Sequence, residues 1–176
     1  LYYILRTAVY LLADVIGNFL HRTFVFTKKQ FDSKIPEYTN PTDEDEEFRL
    51  AIEALPDNAG EYIANYEFRE ALLEIFKVAK KGNKYFNDAE PWKAVKEDKT
   101  KAANCLYLSN QLAKTLAYML KPFLPTKADK IAEIMNLGSL DDWEDAKAEL
   151  PTGHEINKSK PLFKKIEDKE IEAQKA

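Results

Sequence analysis

Cysteine is almost missing from this 176-residue chain, and histidine and glycine are scarce. A single cysteine, Cys105, rules out a disulfide framework within the chain and leaves a thiolate metal site without ligands. His21 and His154 are the only histidines, so zinc has no donor set either. The five glycines (Gly17, Gly60, Gly82, Gly138 and Gly153) are scattered, and no phosphate-cradling loop or dinucleotide fingerprint can be built from them. No Ser, Cys or His stands in a nucleophile arrangement, and His154, within Thr152-Gly153-His154-Glu155, reads as a turn residue. No catalytic residue, metal ligand or cofactor site is expected in this chain. Long hydrophobic runs are missing too. In residues 1–26, the most apolar part, Arg6, Asp14, His21 and Arg22 interrupt, and the uncharged run 7–13 falls far short of the roughly 20 residues a membrane span needs. No small-residue cleavage site follows an apolar run, so a secretory signal is not expected. A lone cysteine fits a reducing, cytoplasmic compartment. The chain opens on Leu1 rather than Met, as expected of a piece of a longer protein.

With little Gly or Pro and no alternating strand pattern, helices are the expected element. Residues 1–28 read as one helix, apolar on nearly all faces, with Gly17 permitting a close neighbour. Pro36, Asn40 and Pro41 make a connector, after which Thr42 caps a second helix with Asp45 at the capping-box position. The acidic run 43–47 suits a helix N-terminus, and its consecutive positions point around the helix rather than converging on a metal. Pro56 and Gly60 are expected to bend or break that helix before Tyr66. Phe68, Leu72, Ile75, Phe76, Ala79 and Phe86 repeat at helical spacing over a third helix, residues 67–88, which Glu90-Pro91 ends. Asp98 caps a fourth, stopped by Pro122 and Pro125; a fifth spans 126–136 with Gly138 in its C-cap region. Residues 142–149 add a short helical segment. The expected fold is all-α, an up-and-down bundle of about five helices over residues 1–150, with an irregular segment and charged tail over 151–176.

Net charge is −4, which argues weakly against a general nucleic-acid binder. Its distribution is uneven. Residues 37–74 hold twelve acids and two arginines, whereas residues 77–101 hold eight lysines and four acids. That basic segment is either a phosphate-facing surface or a solvated lysine-rich face.

Four segments together resemble one family. They are Ala13-Asp14-Val15-Ile16-Gly17-Asn18-Phe19-Leu20-His21-Arg22; Asn83-Lys84-Tyr85-Phe86 with Glu90-Pro91-Trp92; Leu120-Lys121-Pro122-Phe123-Leu124-Pro125; and Gly153-His154-Glu155-Ile156 with Lys160-Pro161-Leu162-Phe163-Lys164-Lys165-Ile166. In this order and spacing they resemble methionyl-tRNA synthetases of the archaeal and eukaryotic type. Related class I synthetases share the bundle, while the Pro-Trp pair and the closing Lys-Pro-Leu-Phe segment point to the methionine enzyme. The resemblance implies a helical anticodon-binding domain that recognises the CAU anticodon of methionine tRNA. Its partners would be that tRNA's anticodon loop and the catalytic domain of the same synthetase. ATP would be used by that catalytic domain, whose His-Ile-Gly-His and Lys-Met-Ser-Lys-Ser type signatures do not occur here. The chain alone is therefore not expected to be catalytic.

The resemblance also implies site residues. Trp92 matches the family tryptophan that stacks on the anticodon, and an aromatic face offers about 1–3 kcal/mol per stacked base. Pro91 would fix the backbone beneath it. Asn18, Arg22, Asn83 and Lys84 are polar residues of the matching motifs that could face RNA. The family's Asn and Arg readers on the first helix fall at Tyr10 or Leu11 and at Val15, so neither is present. A second interpretation stays open: a helical interaction or scaffold module without an RNA role, including an engineered bundle with an altered first helix. The two differ at Trp92, exposed beside Lys84 and Lys93 in the first and buried in the second.

Overall fold

Six α-helices account for most of the chain, and each starts or stops where local chemistry supplies a reason. The computed structural model describes residues 10–158, with side chains from Asp14 onward, together with Leu162. The expectations for residues 1–9 and for the tail after Leu162 lie outside the described residues. A π-helical stretch, Tyr10–Gly17, leads directly into α1, Asn18–Gln30. The change from i+5 to i+4 bonding skips one carbonyl near the junction. Asn83 reaches across from a neighbouring helix, its Nδ2 donating to the Val15 carbonyl at 2.9 Å.

Helix α2, Asp43–Ala64, opens with the capping box: Asp45 N donates to Thr42 Oγ1 at 3.2 Å, and Thr42 N donates to Asp45 Oδ2 at 2.9 Å. The expected break at Pro56 and Gly60 does not occur, and the helix runs through both. Pro56 is buried, and Gly60 leaves room for the Trp143 indole, whose Nε1 donates to the Pro56 carbonyl at 3.3 Å. Tertiary packing outweighs the propensity cost there.

Helix α3 is Phe68–Ala89, α4 Pro91–Glu97, α5 Lys99–Leu120 and α6 Pro125–Ile134. Five of the six span ten residues or more, and the two-turn α4 is an element the sequence did not suggest. The short segment anticipated over 142–149 is a single 3₁₀ turn, Glu144–Ala146. Helix α6 closes on Asn136, with φ 53°, rather than on Gly138; Leu137 N donates to Ala132 O and Asn136 N to Glu133 O. This is a Schellman motif in which asparagine tolerates the left-handed conformation.

Helix α5 is the axis. From Asn104 to Leu120 every side chain is buried, surrounded by α1, α2, α3, α4 and α6. Two of its amides tie down irregular segments by two-way bonds to backbone: Asn104 to Thr39 in the connector, and Gln111 to Leu150 near the C-terminal stretch. Lys114, also buried, donates to the carbonyls of Asp145 and Ala148. Residues 153–156 then pair with the connector, through Ile35 N to His154 O at 2.9 Å and Ile156 N to Ser33 O at 2.8 Å. Among the described residues no helix is long and apolar enough to cross a membrane.

Two predictions follow from packing. A Cβ at Gly82 would lie 2.6 Å from Leu112 Cδ2 and 3.0 Å from Phe19 Cε2, both side chains fully buried. Gly82→Ala should cost about 1 kcal/mol in urea unfolding, because overpacking of roughly 1–3 kcal/mol exceeds the ~1 kcal/mol helix-propensity gain. Gly138→Ala, with nothing within 4 Å, should stay within about 0.5 kcal/mol; equal effects at both sites would refute the packing account. Burial lowers the Lys114 ammonium from its ordinary value to about 8. The unfolded chain then binds more protons above that pH, so stability should rise from about pH 8 towards the ordinary lysine range. In guanidinium melts the wild type should gain on Lys114→Met across that window; a pH-independent difference would contradict it.

Candidate nucleic-acid interface

The α3–α4 corner is set by two residues. Pro91 disfavours right-handed helical geometry in the residue before it, and Glu90 sits left-handed at φ 45°, ψ 56°. Glu90 thereby ends α3 and starts α4 in one step, at a cost of order 1–2 kcal/mol for a residue with a Cβ. Pro91 takes the first helical position, where its missing N–H is no loss. It is buried, and the next residue, Trp92, is carried to the surface with 38% of its area exposed.

Beneath the indole lies a small apolar cluster separate from the main core. Phe86, Ala89, Cys105 and Leu106 form it, with Phe26, Phe31 and Tyr85 packed around it. Phe26 meets Phe86 edge-on at 5.7 Å and Trp92 at 6.4 Å, with interplanar angles of 79° and 60°. The Arg22 guanidinium lies 4.5 Å from the Phe86 ring centroid and 5.7 Å from that of Trp92. Arg22 and Phe26 are one turn apart on α1, so helical spacing alone puts both on this cluster. Arg22 has no acidic partner among the described residues. Burial lowers its pKa from the ordinary arginine value, yet a guanidinium remains charged. The result is a half-buried cation held by two aromatic faces at the edge of an exposed indole. Cys105 below is inert, its thiol pushed up to about 12 by burial.

The six residues singled out from the sequence do not all converge. Arg22, Pro91 and Trp92 come together. Asn18 is exposed one turn before Arg22 on the same stripe of α1. Asn83 turns inward, donating to Val15 O and Ala79 O, and so braces the π-helical stretch. Lys84 is exposed and paired with Asp88, and Lys93 is paired with Glu90 at 2.8 Å. Val15, where the family's Arg would stand, is buried. Sequence reasoning did not pick out Phe26, although its spacing of four from Arg22 was a usable signal.

Exposed aromatics occur elsewhere as well. Tyr66, Phe68 and Phe123 form an edge-to-face group at the opposite end of α3, about 30 Å away at 1.5 Å per residue. There the nearby Arg69 is paired with Glu70, and Glu61 and Glu67 add negative charge. Only at Trp92 does an exposed ring adjoin an unpaired cation among the described residues.

Residues 35–176 match the family described as the anticodon binding domain of methionyl tRNA ligase. The chain belongs to this family. It is 70% identical over 164 residues to the methionine–tRNA ligase of Methanobrevibacter smithii, a match covering 93% of this chain and 25% of that protein. Identity is 47% to the corresponding ligase of Methanosphaera stadtmanae and 39% to that of Pyrococcus abyssi, covering 26% and 22% of those proteins. The chain thus spans about a quarter of the length of the curated relatives it matches. Its fold is that of one region of the apo methionyl-tRNA synthetase of Mycobacterium tuberculosis, with a TM-score of 0.84 at 21% identity over 89% of this chain and 32% of that one. The all-α bundle expected from the sequence is therefore a family fold.

The stacked arrangement at Trp92 predicts energetic coupling. In a double-mutant cycle of Arg22→Ala and Trp92→Ala, urea unfolding should give a coupling of about 0.5–1 kcal/mol. Strictly additive effects would mean that the guanidinium is not held against the ring.

Proposed function

We propose that this chain binds the anticodon loop of methionine tRNA and takes its CAU bases at Trp92, in support of methionyl-tRNA formation by a ligase whose catalytic part lies outside these residues. The observation that carries this is the exposed indole fixed over the unpaired Arg22. Proteins read RNA sequence mainly in single-stranded loops, where splayed bases stack on aromatic side chains. Pro91 and the left-handed Glu90 hold the ring before a base arrives, which lowers the ordering cost of binding. Arg22 offers hydrogen-bond donors at the ring edge, suited to a base carbonyl or a phosphate oxygen. Asn18, one turn away on the same stripe, adds an amide that can both donate and accept. With Tyr10 or Leu11 and Val15 standing at the family's reader positions, Asn18 and Arg22 are the polar groups left on α1 to contact the base. Lys84 would act only after releasing Asp88, and Asn83 by bracing the helix that carries Val15. Such a chain would work in the cytoplasm, on tRNA and beside its catalytic domain, with no cofactor of its own.

Binding of a methionine tRNA transcript and of one with a changed anticodon, measured by filter retention, tests this. Trp92→Ala should weaken the CAU-bearing tRNA by about 10- to 100-fold, in line with about 1–3 kcal/mol per stacked base. Equal affinity of the wild type for both tRNAs would refute specific recognition.

A further inference from the structure

Lysines near Trp92 differ from lysines elsewhere in their partners. Lys34, Lys77, Lys81, Lys84, Lys93, Lys121 and Lys147 each pair with a carboxylate. Lys28 and Lys29 at the end of α1, Lys96 on α4, and Lys99 and Lys101 in the first turn of α5 are exposed and have no acidic partner among the described residues. These elements meet in space. Phe26 on α1 touches Trp92 on α4, and Phe31 just after α1 packs into the cluster that holds Cys105 and Leu106 of α5. Residues 18–30 and 91–101 together carry seven lysines and arginines against Glu97 and Asp98, in a chain whose net charge is −4. Asp98 is already engaged, its Oδ1 accepting from Lys101 N at 3.0 Å.

Placement on the helices sharpens the point. Lysines at the C-terminal end of α1 suit the helix dipole, but Lys99 and Lys101 occupy the N-terminal turn of α5, which holds no acid. Cations there oppose the dipole. No packing contact or ion pair on the page offsets that cost, and a rule broken without local compensation marks a functional surface. A polyanion laid across α1, α4 and the start of α5 would relieve it.

We propose that Lys28, Lys29, Lys96, Lys99 and Lys101 form a phosphate track for the RNA strand whose base stacks on Trp92. The track rests on the proposal that RNA docks at Trp92, but it acts through a different term. Phosphate contacts supply affinity that is independent of sequence and dependent on salt, whereas the stacked base supplies discrimination.

The test uses the full chain and two labelled RNA hairpins, one with a CAU loop and one with a changed loop, titrated between about 50 and 200 mM salt. The variant Lys28→Gln/Lys29→Gln/Lys96→Gln/Lys99→Gln should bind both hairpins more weakly by the same factor, about tenfold or more at low salt. Its plot of log affinity against log salt should flatten by roughly 0.7 per lost contact, or about 3 in all. Lys130→Gln/Lys158→Gln, altering two exposed unpaired lysines near α6, should leave the slope unchanged. Trp92→Ala should reduce the preference for CAU without changing the slope. An unchanged slope in the fourfold variant, a loss confined to the CAU hairpin, or equal flattening per lysine in the α6 control would overturn the track. If the slope responds as expected while the wild type shows no preference for CAU, the track stands and base recognition at Trp92 falls.

Discussion

Burying α5 on every side is the constraint from which the rest of this structure follows. A helix surrounded by five others cannot leave polar groups unpaired without a cost of about 1–3 kcal/mol each. Its sequence nevertheless carries Asn104, Ser109, Asn110, Gln111, Lys114 and Thr115, all buried. Most of these bond outward and become struts. Asn104 fixes the connector at Thr39 and also donates to Asp45; Asn110 donates to Thr27 Oγ1 on α1; Gln111 and Lys114 fix the turn before the C-terminal stretch. The polar content that would be a liability in a surface helix is what specifies where the irregular segments lie.

Asp45 shows the same economy. It closes the capping box of α2, and its other oxygen accepts from the Tyr85 hydroxyl on α3. Burial and that bond push the Tyr85 pKa well above the ordinary tyrosine value. Tyr85 in turn stacks with Phe48 and borders the cluster under Trp92. The start of α2, the end of α3 and the aromatic site are thereby joined by a short chain of packed and hydrogen-bonded groups. The corner at Glu90 and Pro91 stands on a rigid base, which suits a ring that must present one surface to solvent.

Charge is divided as sharply as polarity. The acidic residues of α2 cap its N-terminus and pair with Arg49, Lys81 and Lys147, so they are largely consumed by the fold. The basic residues split into those that answer these acids and those that answer nothing. The second group collects on α1, α4 and the start of α5, around the one exposed ring with an unpaired cation beside it among the described residues.

The sequence by itself determined the helical class, the order of the long helices and the corner that displays Trp92. These depend on local chemistry: apolar residues recurring at helical spacing, Thr42 and Asp98 as caps, and Pro91 acting on the residue before it. It misjudged Pro56 and Gly60, where the Trp143 indole and burial make an unbroken helix more favourable than a bend. It missed α4, whose two turns are too short to show a periodicity. Tertiary structure alone decided which polar residues of the motifs face inward and which cations lack partners. Asn83 and Arg22 look alike in the sequence as candidates for RNA contact. One is turned to a carbonyl 68 residues away along the chain, and the other is left charged against two aromatic rings. Side-chain roles of that kind are set by contacts between distant segments, and hydrophobic periodicity and local propensity carry no record of them.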